Sequence, residues 1–305
     1  MLKSRLRDRA SGILTYGITP PRREYDDEKK REIAAKQIER VRSLPVDGLV
    51  IYDLQDESAR TSEERPFPFL PTLDSSEYAG EYLAELETPK IVYRCVGKYD
   101  ADELTRGLNE LDENSCSVFV GPASRNQATR LTLVQAYELR REVKPELVLG
   151  AVTIPERHMA SNREHLNVAR KIESGVSFFI SQAVYNAEAS RNFLSDYHYH
   201  CLEQGLEPAP ILLTITPCGS ARTLEFMKWL GISFPRWLEN DLKHTSDILA
   251  DSVEHCLRIF KELHAFGSAR NIPIGCNVES VSIRKAEIDA AGEITRLIHD
   301  YLRKS

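Results

Sequence analysis

The sequence lacks the features that mark several common classes of protein. Its 305 residues contain 40 Lys and Arg against 46 Asp and Glu, so the formal net charge is −6. Nucleic-acid-binding proteins carry a basic excess instead. No apolar run approaches the roughly 20 residues that span a bilayer, and no apolar stretch of a signal peptide follows the basic segment 1–10. We therefore expect a cytoplasmic protein that binds neither nucleic acid nor membranes.

Metal-binding and nucleotide-binding motifs are missing as well. The cysteines show no C-x-x-C pair and no cysteine–histidine spacing of a zinc site, so the sequence predicts no metal site. We expect reduced thiols, because disulfides are rare in the cytoplasm. No G-x-G-x-x-G follows the first predicted strand, and no G-x-x-x-x-G-K-[ST] occurs. The six cysteines are Cys95, Cys116, Cys201, Cys218, Cys256 and Cys276.

Short apolar runs alternate with longer amphipathic segments along the whole chain. Most of the runs are continuously apolar, which is typical of parallel strands covered on both faces. Eight such units favour an α/β fold, a (β/α)₈ TIM barrel in a single domain over residues 1–305, with an additional helix, Thr245–Phe266, before strand eight. A doubly wound open sheet is the alternative. The predicted strands are Ile13–Thr19, Asp47–Asp53, Lys90–Cys95, Ser115–Val120, Leu147–Thr153, Ser177–Gln182, Pro210–Ile215 and Ile272–Asn277.

A barrel of this kind builds its active site from residues at and after the C-terminal ends of the strands. Each polar residue there also has a structural interpretation; Arg94 and Glu156, for example, could form an ion pair across the mouth. Two long segments, Leu54–Ser75 and Ser233–His244, are predicted loops that could cover the mouth. The polar residues at these strand ends are Asp53, Arg94, Glu156, His158, Gln182, Asn277 and Glu279.

Several motifs occur in an order and spacing that resemble one family. They are Tyr16-Gly17-Ile18-Thr19-Pro20-Pro21-Arg22 (F-E-F-F-P-P-R in the family), Pro155-Glu156-Arg157-His158 (P-E-x-H), residues 170–176 with Ile180-Ser181-Gln182 (R-K-x-D-A-G-A…I-T-Q), Ile215-Thr216-Pro217 (I-x-P) and residues 232–237 (V-x-I-P-x-W). Together they resemble the methylenetetrahydrofolate reductases, flavin-dependent (β/α)₈ barrels of one-carbon metabolism. The resemblance implies a folate substrate, FAD as cofactor and NAD(P)H as electron donor. It also implies that Gln182 contacts the folate and that His158 and Lys171 contact the cofactor.

The chain departs from the family at several polar positions. The family's strand-four L-R-G-D, whose arginine and aspartate contact flavin, falls on residues 119–122, Phe-Val-Gly-Pro. The strand-two threonine falls near Tyr52, and the strand-three histidine falls near Tyr93. We therefore expect FAD, if it binds, to be held more weakly than in other family members, although Lys171, His158 and Arg125 could compensate.

The general acid of the family is also displaced. The first-strand glutamate that protonates the substrate falls on Gly17, which cannot donate a proton. The acid must then come from another strand, and Glu279, Glu156 and Asp53 are within reach by topology. Glu279 is the leading candidate because strand eight lies beside strand one in a closed barrel. A helix-capping role for Glu279 is the alternative.

We therefore predict a methylenetetrahydrofolate reductase-like oxidoreductase that acts on a tetrahydrofolate one-carbon derivative. The alternatives are a non-catalytic folate- or flavin-binding subunit, a flavin-independent reductase linked to NAD(P)H, and a one-carbon transfer enzyme. The expected partner is a small-molecule folate. A homo-oligomer or a partner enzyme is also compatible with the sequence.

Overall fold

The computed structural model describes residues 2–58, 61–123 and 127–304. Eight parallel strands close into a barrel in sequence order, with β1 paired to both β2 and β8. The predicted (β/α)₈ barrel is thus confirmed, and the open-sheet alternative is wrong. The strands are β1 (Leu14–Ile18), β2 (Gly48–Ile51), β3 (Lys90–Cys95), β4 (Cys116–Val120), β5 (Leu149–Thr153), β6 (Phe178–Ala183), β7 (Ile211–Ile215) and β8 (Ile274–Val278).

Helices follow the strands and cover the outside of the barrel. The predicted additional helix before β8 is present as α11. The helices are α1 (Leu2–Arg7), α2 (Asp27–Arg42), α3 (Ser75–Glu77), α4 (Ala101–Asn109), α5 (Leu133–Val143), α6 (Pro155–Ser161), α7 (Glu164–Glu173), α8 (Ala187–Gln204), α9 (Ala221–Trp229), α10 (Arg236–His244), α11 (Ile248–Ser268) and α12 (Lys285–Leu302). A π-helical turn, Tyr78–Tyr82, follows α3, and a 3₁₀ turn, Val96–Lys98, follows β3.

The N-terminal helix α1 seals the floor of the barrel. Its Leu2 and Leu6 are 2% and 0% exposed and belong to the same apolar cluster as inward-facing strand residues such as Val50 and Phe178. A Cβ on Gly48 would lie 2.5 Å from Leu2 Cδ2, so the glycine makes room for this helix. The opposite end of the barrel, where the strands end, is not covered by α1 and is here called the open end.

One of the two predicted loops is partly helical. Ser233–His244 was expected to be a loop over the mouth, but α10 occupies most of it, so this prediction was wrong. Leu238 and Leu242, one turn apart on α10, are buried, and the helix packs against α11. An amphipathic helix of only nine residues gives too short a periodic pattern to stand out in the sequence.

The other predicted loop, Leu54–Ser75, is described except at residues 59 and 60, and its segment 61–74 reaches α9, the helix after β7. Arg222 Nη2 and Trp229 Nε1 on α9 donate hydrogen bonds of 2.8 and 3.0 Å to the carbonyls of Pro66 and Glu63. The segment then returns to β1, where Arg22 forms an antiparallel bridge to Thr72. Because β1 and β8 lie between β2 and β7, the segment spans that side of the rim.

All six cysteines are free and buried, in agreement with the expectation of reduced thiols. Within the described ranges, no helix is both long and apolar enough to cross a membrane.

Candidate functional site

A layer of polar side chains crosses the barrel interior near its open end. Thr15 Oγ1 donates to Asn277 Oδ1 over 2.9 Å, and Asn277 Nδ2 reaches Tyr52 Oη at 2.8 Å and Thr214 Oγ1 at 3.3 Å. Thr15, Thr214 and Asn277 are almost completely buried. The amide of Asn277 therefore has its hydrogen-bond partners inside the protein and fixes the position of the Tyr52 hydroxyl.

Glu279 and Tyr52 fill the space beside Gly17. A Cβ on Gly17 would lie 2.8 Å from Tyr52 Cε2 and 3.1 Å from the Cβ of Glu279. The Tyr52 hydroxyl is hydrogen-bonded to the Glu279 carboxyl. The Tyr93 ring packs edge-on against Tyr52, with the ring centroids 4.8 Å apart. Strand eight thus delivers a carboxyl group to the place where the family carries its strand-one acid.

The surroundings of Glu279 favour a proton on its carboxyl group. Burial raises the pKa of Glu279 to about 7, and the hydrogen bond from Tyr52 acts in the opposite direction. The pKa values of Tyr52 and Tyr93 are raised by burial and then by the charge of Glu279, so both phenols stay neutral. A carboxyl group with a pKa near neutrality can donate or accept a proton at physiological pH.

Asp53 and Arg94 are held in separate contacts with neighbouring side chains and backbone. Asp53 accepts hydrogen bonds from Cys95 N at 2.7 Å and Tyr99 Oη at 2.9 Å, and it forms an ion pair with Lys98. Arg94, 2% exposed, lies 3.5 Å from Asp74 and over the Tyr99 ring. The predicted ion pair between Arg94 and Glu156 is therefore wrong, because the partner of Arg94 is Asp74. The negative charge of Asp53 is paired with the positive charge of Lys98.

Glu156, at the start of α6, carries a buried carboxyl group without a partner. Neither carboxyl oxygen has a hydrogen-bond partner among the described residues. Burial raises the pKa of Glu156 to about 8, and the nearby charge of Glu164 raises it further. Glu164 itself accepts hydrogen bonds from Thr153 Oγ1 and Ile154 N, at 3.0 and 2.9 Å. Glu156 is thus kept protonated at neutral pH by its surroundings.

Gln182 lies next to an irregularity in the sheet. The β6–β7 register shifts between Ile180 and Ala183, and Ser181 Oγ accepts a hydrogen bond of 2.9 Å from Thr214 N in that gap. Bulges of this kind re-aim side chains beside active sites. The Gln182 side chain is half-buried, and its Nε2 donates to the carbonyl of Leu230 at 2.8 Å, at the end of α9. Its role in folate contact stays a prediction.

Lys171 and His158, the predicted cofactor contacts, both form hydrogen bonds within the protein. Lys171 Nζ donates to the carbonyl of Val152 at 2.5 Å, and burial lowers its pKa. His158 is 1% exposed, and its Nε2 lies 3.0 Å from Asp196 Oδ2. The contacts of these two residues with a cofactor stay predictions.

The end of strand four does not fit a flavin in the manner of the family. Val120 packs against the barrel interior, and Gln55 Nε2 donates to the carbonyl of Gly121 at 3.0 Å. No charged side chain is present at Gly121, Pro122 or Ala123. Arg125, the predicted compensating residue, lies outside the described residues. The described part of this segment therefore provides neither a phosphate-binding cation nor the acceptor that the family uses.

Sequence reasoning missed two features of the barrel. Tyr52 is the hydrogen-bond partner of Glu279, and the only sequence signal was its position at the strand end that carries a threonine in the family. His165 and Asp196 gather around His158 although they lie on different helices, so no local spacing revealed them.

Comparison with known proteins identifies the family. The family model for methylenetetrahydrofolate reductase matches residues 123–267. A solved structure of an uncharacterized protein from Clostridium thermocellum, which binds two copies of 5-methyl-5,6,7,8-tetrahydrofolic acid, is 50% identical in sequence. The match covers 98% of this chain and 99% of that chain, with a TM-score of 0.87. This chain belongs to the methylenetetrahydrofolate reductase family.

More distant structures of other proteins share the fold alone. A GH10 endoxylanase from a sugarcane soil metagenome is 7% identical, with a TM-score of 0.54 over 99% of this chain and 100% of that one. A search of curated proteins found no match. The reductase family membership therefore rests on the family model and on the Clostridium protein.

Proposed function

We propose that this family member binds a tetrahydrofolate one-carbon derivative at the open end of the barrel and reduces it, with Glu279 as the general acid. The observation that carries the proposal is the position of Glu279, whose Cβ lies 3.1 Å from where a Cβ on residue 17 would be. The Clostridium protein, 50% identical, binds 5-methyltetrahydrofolic acid, and this supports the class of substrate.

The chemistry assigned to Glu279 is a proton transfer to the folate. The protonated carboxyl group donates its proton to N10 of a 5,10-methylene bridge, the C–N10 bond breaks, and an iminium forms at N5. A hydride added to the methylene carbon then gives the N5-methyl product. The resulting Glu279 carboxylate accepts the Tyr52 hydrogen bond, which stabilises its charge. A pKa of about 7 keeps the donor form available at neutral pH.

The hydride is proposed to come from NAD(P)H. FAD would relay the hydride in an ordinary family member, but the described residues at the end of strand four do not fit it. No step is therefore assigned to flavin.

A non-catalytic folate-binding subunit that works with a partner enzyme is the second candidate. The strand-four segment favours it, because the Val120-Gly121-Pro122 run lacks the flavin contacts of the family. In that case the folate site would be retained without a local route for the hydride.

Folate binding and turnover separate the two candidates. We would titrate 5-methyltetrahydrofolate into the protein by calorimetry and follow NADH or NADPH oxidation with 5,10-methylenetetrahydrofolate, with and without added FAD. We expect Glu279→Gln to keep folate binding and to lower turnover by roughly 10²–10⁴-fold, as for loss of a general acid. The control is Glu293→Gln, an exposed glutamate on α12.

Three results would count against reduction by Glu279. Folate binding without turnover under any of these conditions would favour the binding subunit. Turnover that survives in Glu279→Gln would reject the assigned acid, and absence of folate binding would reject both candidates.

A further inference from the structure

We propose that His158, His165 and Asp196 form a binding site for a divalent transition-metal ion such as Zn²⁺. These residues lie on α6, α7 and α8, on the outer helical layer of the barrel. The proposal is independent of the folate chemistry at the open end. It assigns to His158 a partner other than the cofactor that the family resemblance implies.

The three side chains are close enough to share one ion. One possible ligand atom from each residue lies within 4.8 Å of the other two, and His158 Nε2 is 3.0 Å from Asp196 Oδ2. The rings of His158 and His165 are 5.4 Å apart at an angle of 67°. Ligands on tetrahedral zinc, with bonds of about 2.0–2.1 Å, are separated from one another by roughly 3.3 Å. Small side-chain rotations therefore suffice to bring the three donors around an ion.

Unpartnered ring nitrogens supply a second and independent observation. Nδ1 of His158 and Nδ1 of His165 are both buried and have no hydrogen-bond partner among the described residues. A buried polar atom without a partner destabilises the fold. The hydrogen bond to Asp196 occupies Nε2 of His158, and no hydrogen bond among the described residues occupies Nδ1 of either ring.

The donor set indicates the class of ion. Two imidazoles and one carboxylate suit zinc and related transition metals, whereas Mg²⁺ and Ca²⁺ prefer oxygen ligands alone. His200 lies one turn after Asp196 on α8, with its ring 5.6 Å from that of His165. The positive charges of Arg163 and Arg170, which border the neighbouring groove, oppose a cation. Metal binding therefore depends on the imidazole and carboxylate donors rather than on a negative electrostatic potential around the site.

An ion at this position would connect three helices. Helix α6 begins two residues after β5 and carries Glu156 in its first turn. Metal binding should therefore raise the melting temperature and hold the start of α6 in place.

The test uses the full-length protein without a polyhistidine tag, stripped with a chelator. Zn²⁺ is titrated by calorimetry, and Co²⁺ by its visible absorption, which reports coordination by protein ligands. We expect one equivalent of either ion to bind and the melting temperature to rise. His165→Ala and Asp196→Asn should weaken binding by more than the roughly 10–100-fold that loss of an outer-shell partner costs. Mg²⁺ should not compete.

His198→Ala is the matched control, because this histidine lies on the same helix and its ring packs against Tyr199. It should bind Zn²⁺ as the unaltered protein does, and circular dichroism should show all three variants folded. Absence of saturable Zn²⁺ or Co²⁺ binding would overturn the proposal. Equal affinity in Asp196→Asn and the unaltered protein, or equal loss in His198→Ala, would also overturn it.

Discussion

The two sides of the barrel mouth differ in how they depart from the family. On the side of β8, β1 and β2, the strand-one glutamate is missing, but Glu279 brings a carboxyl group to the same place and Tyr52 binds it. On the side of β4, the arginine and aspartate are missing, and the described residues contain no charged replacement. A missing side chain can be replaced when a residue on the neighbouring strand lies beside the same position. The positions 119–122 at the end of β4 have no such replacement among the described residues.

The two buried glutamates of the mouth region sharpen this contrast. Glu279 has a hydrogen-bond donor, Tyr52, that can stabilise its charged form. Glu156, which follows β5, has no side-chain donor among the described residues and only its own backbone N–H lowers its pKa, which is raised further, to about 8 rather than about 7. Of these two carboxyl groups, only that of Glu279 has surroundings that favour its protonated form together with a side-chain donor that stabilises its charged form.

The largest expected effect concerns flavin. We expect FAD to bind at least about ten-fold more weakly than to a member with the strand-four arginine and aspartate, since a lost charged contact costs about 1.5–3 kcal/mol. The measurement is the visible spectrum of protein purified without added cofactor, followed by an FAD titration. Stoichiometric FAD that survives long dialysis would show that the two sides of the mouth do not differ in this way.

Gly17→Ala tests the packing on the side of the mouth formed by β8, β1 and β2. The added Cβ would lie 2.8 Å from the Tyr52 ring, so Tyr52 must shift and loosen its contacts with Asn277 and Glu279. We expect the free energy of unfolding to fall by about 1–3 kcal/mol, as for overpacked cores, measured by urea denaturation. Gly80→Ala is the control, because nothing lies within 4 Å of the added Cβ. Unchanged stability in Gly17→Ala would mean that Tyr52 is not held tightly there.

Gln182→Ala tests whether the irregular edge between β6 and β7 belongs to the folate site. If the amide turns from Leu230 to the pterin, its loss should weaken folate binding by about 1–3 kcal/mol. Calorimetry with 5-methyltetrahydrofolate gives the affinity. Gln204→Ala, at the distant C-terminal end of α8, serves as the control. Equal folate affinities of Gln182→Ala and the unaltered protein would show that Gln182 does not bind the folate and only bonds to Leu230.

Glu156→Gln should change how stability depends on pH. The folded-state pKa of about 8 exceeds the ordinary value of 4.5, so the folded protein keeps a proton that the unfolded chain releases between these values. The free energy of unfolding therefore falls as the pH rises through this window, by at most about 1.4 kcal/mol per pH unit. The variant should lose this part of the slope and gain stability relative to the unaltered protein at pH 8.

Urea denaturation between pH 5 and pH 8 measures the difference. Glu138→Gln, an exposed glutamate on α5, should leave the slope unchanged. Parallel pH profiles of Glu156→Gln and the unaltered protein would mean that Glu156 finds a partner in solution.

The sequence predicted the barrel and the neighbourhood of Glu279 for the same reason. Alternating apolar and amphipathic segments define the strands, and closure places β8 beside β1. The contacts that depend on the exact register of the strands could not be predicted from the sequence. The bond of Gln182 to Leu230 follows from a shift between β6 and β7, and Arg94 pairs with Asp74, a loop residue without any periodic pattern.

The seal that Leu2 and Leu6 place on the barrel floor has a kinetic consequence. A small molecule that reaches Glu279 from the strand ends enters and leaves through one opening, along whose rim residues 61–74 run. If the proposed folate and NAD(P)H both bind at this opening, they share one route of entry. Binding should therefore be ordered, and an excess of the molecule that binds last should inhibit turnover by blocking the entry of the other.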